Sequence, residues 1–228
     1  MNFKKIKILL IGKFTFYRLI RSTIIIYVIL TVILYIFADK LIFFPQPCSY
    51  TDSKDILKIR TASKIYISAL YLHNPNAEFT ILYSHGNAED LGDIRPRIEK
   101  IKEHGFSIIA FDYQGYGTSD GKASEKNSYR DIEAVYKHLT NTLKIHPDKI
   151  IAMGRSVGSG AAVHLAAKFE NAALILESPF TSAFRVVTRI PLFPIDKFNN
   201  LDKIEKIDCP ILIIHGKEDS LVPIWHGK

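Results

Sequence analysis

Five consecutive residues, Gly154-Arg155-Ser156-Val157-Gly158, carry the chemistry most open to reading in this 228-residue chain. A serine between two glycines at this spacing suits a tight strand-to-helix turn. The flanking positions must be small for strand and helix to approach, and the turn exposes the hydroxyl. The apolar run Lys149 to Met153 precedes it and the helix-compatible run Ser159 to Phe169 follows. The five-residue pattern alone occurs by chance, and the setting of strand, turn and helix is what gives it meaning. Such a serine sits at the positive end of a helix, with the amide of Val157 aimed where an oxyanion would develop. The chemistry this implies is nucleophilic attack on an acyl carbon by Ser156.

Two further loops supply what that chemistry needs. Phe79 to Ser84 ends in His85-Gly86-Asn87-Ala88, where Asn87 is the candidate for a second oxyanion amide; His85 reads as a packed or hydrogen-bonding loop residue. Ile211 to His215 runs into Gly216-Lys217-Glu218-Asp219, a carboxylate just past a strand end and after the serine in chain order. Asp219 is the candidate acid that would orient a histidine and stabilise its imidazolium, with Glu218 and Glu177 as alternatives. A third loop, Asp112-Tyr113-Gln114-Gly115-Tyr116-Gly117-Thr118-Ser119, receives a scaffold role, Asp112 fixing backbone amides.

The elements that must position these loops follow from periodicity. Ile56 to Arg60 and Lys64 to Leu72 alternate as early antiparallel strands. Phe79 to Ser84, Ser107 to Phe111, Lys149 to Met153, Ala173 to Glu177 and Ile211 to His215 are short apolar runs of the kind covered on both faces. Between them Ile94, Ile98 and Ile101 share one helical face, as do Ile132, Val135, Tyr136, Leu139 and Leu143, with Ser128 and Asp131 spaced as a capping box. The fold class is therefore α/β, a mostly parallel sheet with helices on both faces and functional loops at its carboxyl end. Residues 179–207 break the alternation and read as a small cap.

Charge is distributed unevenly. The net charge is +7, but Lys4, Lys5, Lys7, Lys13, Arg18 and Arg21 supply six positive charges before the first acid, Asp39, which leaves 24 basic against 23 acidic residues in the rest. A basic leader on a near-neutral body argues against nucleic-acid binding. Residues 22–38 are uncharged and apolar, reaching roughly 26 Å as a helix, with Arg21 and Lys40 able to extend the span. The expected organisation is a basic cytoplasmic leader over 1–21, a transmembrane helix over 22–38 and a catalytic domain over 39–228. A cleaved signal peptide would have a shorter apolar region followed by small residues, whereas Tyr35 to Phe44 is bulky. The basic flank places the domain on the non-cytoplasmic side. Cys48 and Cys209 provide neither a disulfide framework nor a four-thiolate metal site, and no metal or organic cofactor is indicated.

Four blocks, Tyr83-Ser84-His85-Gly86-Asn87-Ala88-Glu89-Asp90-Leu91-Gly92, Asp112 to Gly117, Gly154 to Gly158 and His215 to Asp219, resemble in the same order those of the α/β-hydrolases that include the membrane-associated protein depalmitoylases. The resemblance spans roughly Phe79 to the chain end. It implies an α/β-hydrolase fold and a serine esterase or thioesterase acting on acyl esters or thioesters, possible lipidic substrates included. It also implies Ser156 as nucleophile, Asp219 as acid, and a histidine farther on after another helix and strand. Of the eight histidines only His226 follows Asp219, and in the resembling family a His-Gly pair there opens a helix. The expectation is a C-terminally truncated domain, lacking a strand, a helix and its base, and nearly inactive as this chain. The alternative function is a catalytically impaired, membrane-tethered domain acting through protein contacts. Upstream the resemblance stops, since the depalmitoylases tether through a cysteine-rich lipidated segment and Cys48 stands alone here.

Overall fold

Long, apolar and unbroken by proline until Pro45, the N-terminal segment forms one helix, α1 (Phe16–Ile42), in a computed structural model that describes residues 15–228. Lys4, Lys5, Lys7 and Lys13 of the basic leader lie outside the described residues. The helix is ten residues longer than the uncharged stretch 22–38, because Arg18, Arg21 and Lys40 are good helix formers that extend it at both ends. At 27 residues it reaches about 40 Å, and it is long and apolar enough to cross a membrane. The chain divides into two units, Met1–Ala38 and Asp39–Lys228.

In the second unit β1 (Ile56–Arg60) and β2 (Tyr66–Leu72) pair antiparallel, and β2 lies antiparallel beside β4 (Ser107–Phe111). The remaining strands, β3 (Thr80–Ser84), β5 (Ile150–Arg155), β6 (Ala173–Glu177) and β7 (Ile211–Ile214), extend the sheet in parallel to the order β1-β2-β4-β3-β5-β6-β7. Helices cover both faces. Leu91, Ile94 and Ile98 of α2 (Leu91–Glu103) pack on Ile81, Tyr83, Ile108 and Ile151. On the other face, Ile132 and Val135 of α3 (Glu125–Lys137) and Ala161, Ala162 and Leu165 of α4 (Val157–Lys168) pack on Leu82, Ile109, Ala152 and Leu174. Ile94, Ile98, Ile132, Val135, Tyr136 and Leu139 of the periodic positions are buried in the core, as burial of one stripe per helix requires, whereas Leu143, beyond the end of α3, is exposed.

The capping box expected at Ser128 and Asp131 is not one. The cap of α3 lies four residues earlier, where Ser124 accepts the amide of Asn127 at 3.1 Å. Ser128 lies inside the helix and bonds back to the Glu125 carbonyl at 2.8 Å, while Asp131 turns into the protein. There its carboxylate accepts the amide (3.0 Å) and side-chain nitrogen (2.7 Å) of Gln114 in the loop after β4. Burial pushes the Asp131 carboxyl up to about 7 against those hydrogen bonds. A serine and an acid three apart also suit this tertiary use, and only the packed structure separates the two. The capping box among the described residues belongs to α2, where Asp90 accepts the amides of Gly92 and Asp93, and Asp93 accepts that of Asp90.

Residues 179–207 carry two short helices, α5 (Ala183–Val187) and α6 (Leu201–Ile204), joined by irregular chain. Phe180 and Phe198 anchor this segment in the core, whereas Val187, Ile190, Leu192 and Ile195 are exposed. The segment after α1 is anchored too. Phe43 packs against Tyr113, Tyr116 and Phe198 with ring centroids 5.8 to 6.4 Å apart. All four side chains of β7 are exposed, although they are apolar on both faces.

Candidate active site

The turn at Ser156 is built by close approach. A Cβ on Gly154 would lie 2.3 Å from the Gly158 carbonyl oxygen, and a Cβ on Gly158 would lie 2.2 Å from that of Ser84. Neither gap accepts a methyl group, so strand β5, helix α4 and the end of β3 pack there by backbone alone. Ser156 itself holds φ 50° and ψ −119°, a conformation that L residues occupy at a cost of about 1–3 kcal/mol and that clusters at functional sites. Its amide donates to the Glu177 carbonyl (2.8 Å) at the end of β6, and Ser159 donates its hydroxyl to the Ser156 carbonyl (2.6 Å). The Ser156 side chain is half-buried, and its hydroxyl has no hydrogen-bond partner among the described residues. Val157 opens α4, so helix geometry leaves its amide without an intrahelical acceptor.

Register brings the other loops to the same rim. Ser84 stands beside Gly154, and Glu177 stands between Arg155 and Ile214, so three strands end level with the turn. In the loop after β3 the amides are sorted by their partners. Gly86 donates to Glu89 Oε2 (2.9 Å) and Ala88 to the Asn87 side-chain carbonyl (3.0 Å), which leaves the Asn87 amide free among the described residues. The Asn87 side chain is used elsewhere. It accepts from Phe44 N (2.9 Å) and the Tyr116 hydroxyl (2.6 Å) and donates to the Ile42 carbonyl (2.7 Å), which ties the loop to the segment after α1. His85 is buried against Tyr113 with ring centroids 4.5 Å apart. Asp112, fully buried, accepts the Leu91 amide at the start of α2 (2.9 Å) and the Tyr50 hydroxyl (2.5 Å).

Asp219 lies in the loop after β7. Its carboxyl is held below the ordinary carboxylate range by the amide of Val222 (2.9 Å), the Ser178 hydroxyl and the amide of Leu221 (3.0 Å), with His215 adding charge, against slight burial. It is therefore ionised at neutral pH, as an acid that must stabilise an imidazolium has to be. Among the described residues no imidazole joins it to Ser156. His226 turns its Nδ1 to the amide (3.2 Å) and hydroxyl (3.1 Å) of Thr181 and stacks on Trp225 at 3.7 Å. Burial, with Arg185 and His215 nearby, holds it below the usual histidine value. His215 has Nε2 2.7 Å from the Val222 carbonyl and 3.7 Å from Asp219. Glu177, one of the two alternative acids, pairs with Arg97 and Arg155 instead. Among the described residues no three His, Cys, Asp or Glu side chains converge where they could hold a metal ion.

A mostly parallel sheet whose fifth strand breaks into a serine turn and helix, with loops from β3 and β7 at the same rim, defines an α/β hydrolase. The chain belongs to this family, and residues 75–195 match the model described as serine aminopeptidase, S33. It is 41% identical over 180 residues to alpha/beta hydrolase domain-containing protein 17B of Homo sapiens, covering 77% of this chain and 62% of that protein. It is 38% identical over 181 residues to protein 17C of the same series from Mus musculus, covering 77% and 56%. The chain thus spans about six-tenths of the length of the curated relatives it matches. In fold it is similar to an esterase of Pyrococcus furiosus, with a TM-score of 0.67 at 21% identity over 80% of this chain and 81% of that one. It is also similar to a serine hydrolase homologue from Coxiella burnetii, with a TM-score of 0.60 at 18% identity over 78% and 80%.

Proposed function

We propose that the protein is a membrane-attached serine hydrolase that cleaves an acyl ester or thioester through an acyl-enzyme on Ser156. The observation that carries this reading is the Ser156 turn. Its strained backbone and its unpartnered half-buried hydroxyl present an oxygen rather than fill the core, and the two glycines that admit no side chain let strand and helix approach closely enough to make the turn. In the reaction Ser156 Oγ attacks the acyl carbon while its proton passes to a histidine oriented by Asp219. The amides of Asn87 and Val157 take the charge that develops on the carbonyl oxygen. That histidine protonates the departing alcohol or thiol, and then deprotonates the water that releases the acid and restores Ser156. The proposal places this histidine in the part of the relatives' length that the chain does not span.

Two observations support an acyl substrate and a membrane setting. The segment after β6 begins next to the Glu177 carbonyl that holds the Ser156 amide, and it exposes Val187, Ile190 and Leu192. Helix α1 has the length and hydropathy of a single span, and Arg18 and Arg21 at its start favour a cytoplasmic N-terminus and a domain on the other side. Nucleic acid has no place in this reading. The second reading, a tethered domain that works by contact alone, draws on the His226 Nδ1 bond to Thr181 in place of Asp219.

An acyl-chain series separates them. Full-length protein in detergent should hydrolyse 4-nitrophenyl esters and acyl thioesters, with kcat/KM rising at least tenfold from acetyl to the preferred longer chain. Failure to cleave any ester or thioester across the series would favour the contact-only reading.

A further inference from the structure

A chain of alternating charges runs along the rim beneath the candidate site. Arg97 on α2 reaches both carboxylate oxygens of Glu177, at 3.0 and 2.8 Å. Glu177 closes β6, and its carbonyl holds the Ser156 amide. Its carboxylate also meets Arg155 Nε at 3.3 Å, and Arg155 is the residue that immediately precedes the nucleophile candidate. The Arg155 guanidinium then pairs with Glu89 Oε1, while Glu89 Oε2 accepts the amide of Gly86 at 2.9 Å. One carboxylate therefore touches both the serine turn and the loop that carries the Asn87 amide. The packing is close enough that a Cβ on Gly86 would lie 2.8 Å from Glu89 Oε2. Arg155 and Glu89 are one-third and one-quarter exposed, so the pair is sheltered in part from solvent screening.

We infer that Glu89 and Arg155 are positioning residues that lock the 86–88 turn to the Ser156 turn and so set the spacing between the two oxyanion amides. This rests on the reading of Ser156 as nucleophile. Neither residue touches the reacting atoms. Glu89 draws the Gly86 amide out of the loop by a charge-assisted hydrogen bond, Asn87 draws out that of Ala88 through its own side chain, and the amide between them remains for the oxyanion. Arg155 fixes the Glu89 carboxylate from the side of the nucleophile, and Glu177 with Arg97 fixes Arg155. A displacement of about 1 Å in such a constellation costs on the order of 10²-fold in rate. Binding of the acyl chain itself does not draw on this pair.

The test is steady-state kinetics on the full-length protein with a 4-nitrophenyl acyl ester, comparing wild type with Glu89→Ala, Glu89→Gln, Arg155→Ala, Arg155→Lys and the double alanine variant. The expected result is a fall in kcat of tenfold to a hundredfold for each alanine variant, with KM within twofold. The Gln variant, which still accepts from Gly86 but lacks the charge, and the Lys variant, which keeps the charge but lacks the planar fork, should recover about half of that loss on a logarithmic scale, leaving kcat about threefold to tenfold below wild type. The double alanine variant should be no worse than the weaker single one, because the two residues act as one device. If an alanine variant does not fold, the conservative pair decides, and kcat within 1.5-fold of wild type for both Glu89→Gln and Arg155→Lys overturns the role. A Glu89→Ala enzyme with wild-type kcat, in a protein whose Ser156→Ala variant is silent, overturns the positioning role and leaves the hydrolase reading intact. Equal turnover by wild type and Ser156→Ala removes both.

Discussion

Changing Ser156 to alanine should abolish hydrolysis, by on the order of 10⁴-fold or more in kcat, while leaving the folded protein as stable as before to within about 1 kcal/mol. Two facts separate the large effect from the small one. The Ser156 hydroxyl has no hydrogen-bond partner among the described residues, so its removal strands no buried donor or acceptor. The strained backbone is as demanding of alanine as of serine, so nothing is gained there either. What disappears is the atom that would form the acyl-enzyme, and with it the divided reaction path. Turnover by purified full-length protein and thermal melting of both forms check the two halves. A stable variant with wild-type turnover would remove Ser156 from the chemistry.

The second large effect falls on stability. Gly158→Ala would place a methyl carbon 2.2 Å from the Ser84 carbonyl oxygen and 2.6 Å from that of His85. Both neighbours are backbone atoms at the end of a central strand, where no side chain can rotate aside, and overpacking of this kind costs about 3 kcal/mol. The same displacement would carry helix α4, the Val157 amide and the loop after β3 away from Ser156, so turnover should fall by about 10²-fold in whatever fraction folds. Gly216→Ala is the matched control. Its Cβ would meet nothing nearer than 3.9 Å, and its backbone carries no positive φ, so its stability should stay within about 0.5 kcal/mol of wild type. Equal melting of the two variants would contradict the account of the turn.

How far the sequence could be read follows from the range of the interactions. β4 and β6 have the boundaries their apolar runs suggest, because such a run carries its own signal in five consecutive residues, and β1 has those of its alternating segment. The serine turn was legible for the same reason, since strand, glycines and helix are contiguous. Asp131 was not, because a local spacing that suits a cap served a contact with Gln114, seventeen residues away. Nor was the network under the site. Arg155 meets Glu89 across 66 residues and Arg97 meets Glu177 across 80, and no spacing along the chain announces a partner at that distance. The Asn87 side chain is a further case. Its type suggested a loop residue, while its bonds to Ile42 and Phe44 depend on where α1 ends.

The uncovered strand at the other end of the sheet also has a physical meaning. Ile211, Leu212, Ile213 and Ile214 are each more than one-third exposed, in a strand whose composition suits burial on both faces. An apolar edge of this kind is a template for pairing with another strand. The loop that carries Asp219 begins at its end, and Ser178 N donates to the Ile214 carbonyl there at 2.8 Å.

The most direct test of the central claim, that one turn of backbone presents a reactive hydroxyl, is covalent labelling. Full-length protein treated with a fluorophosphonate and digested should yield a single modified peptide, with the adduct mass on Ser156 and none on Ser159 or Ser178, and denaturation before treatment should abolish it. An adduct spread over several serines, or one that forms equally on denatured protein, would contradict the account.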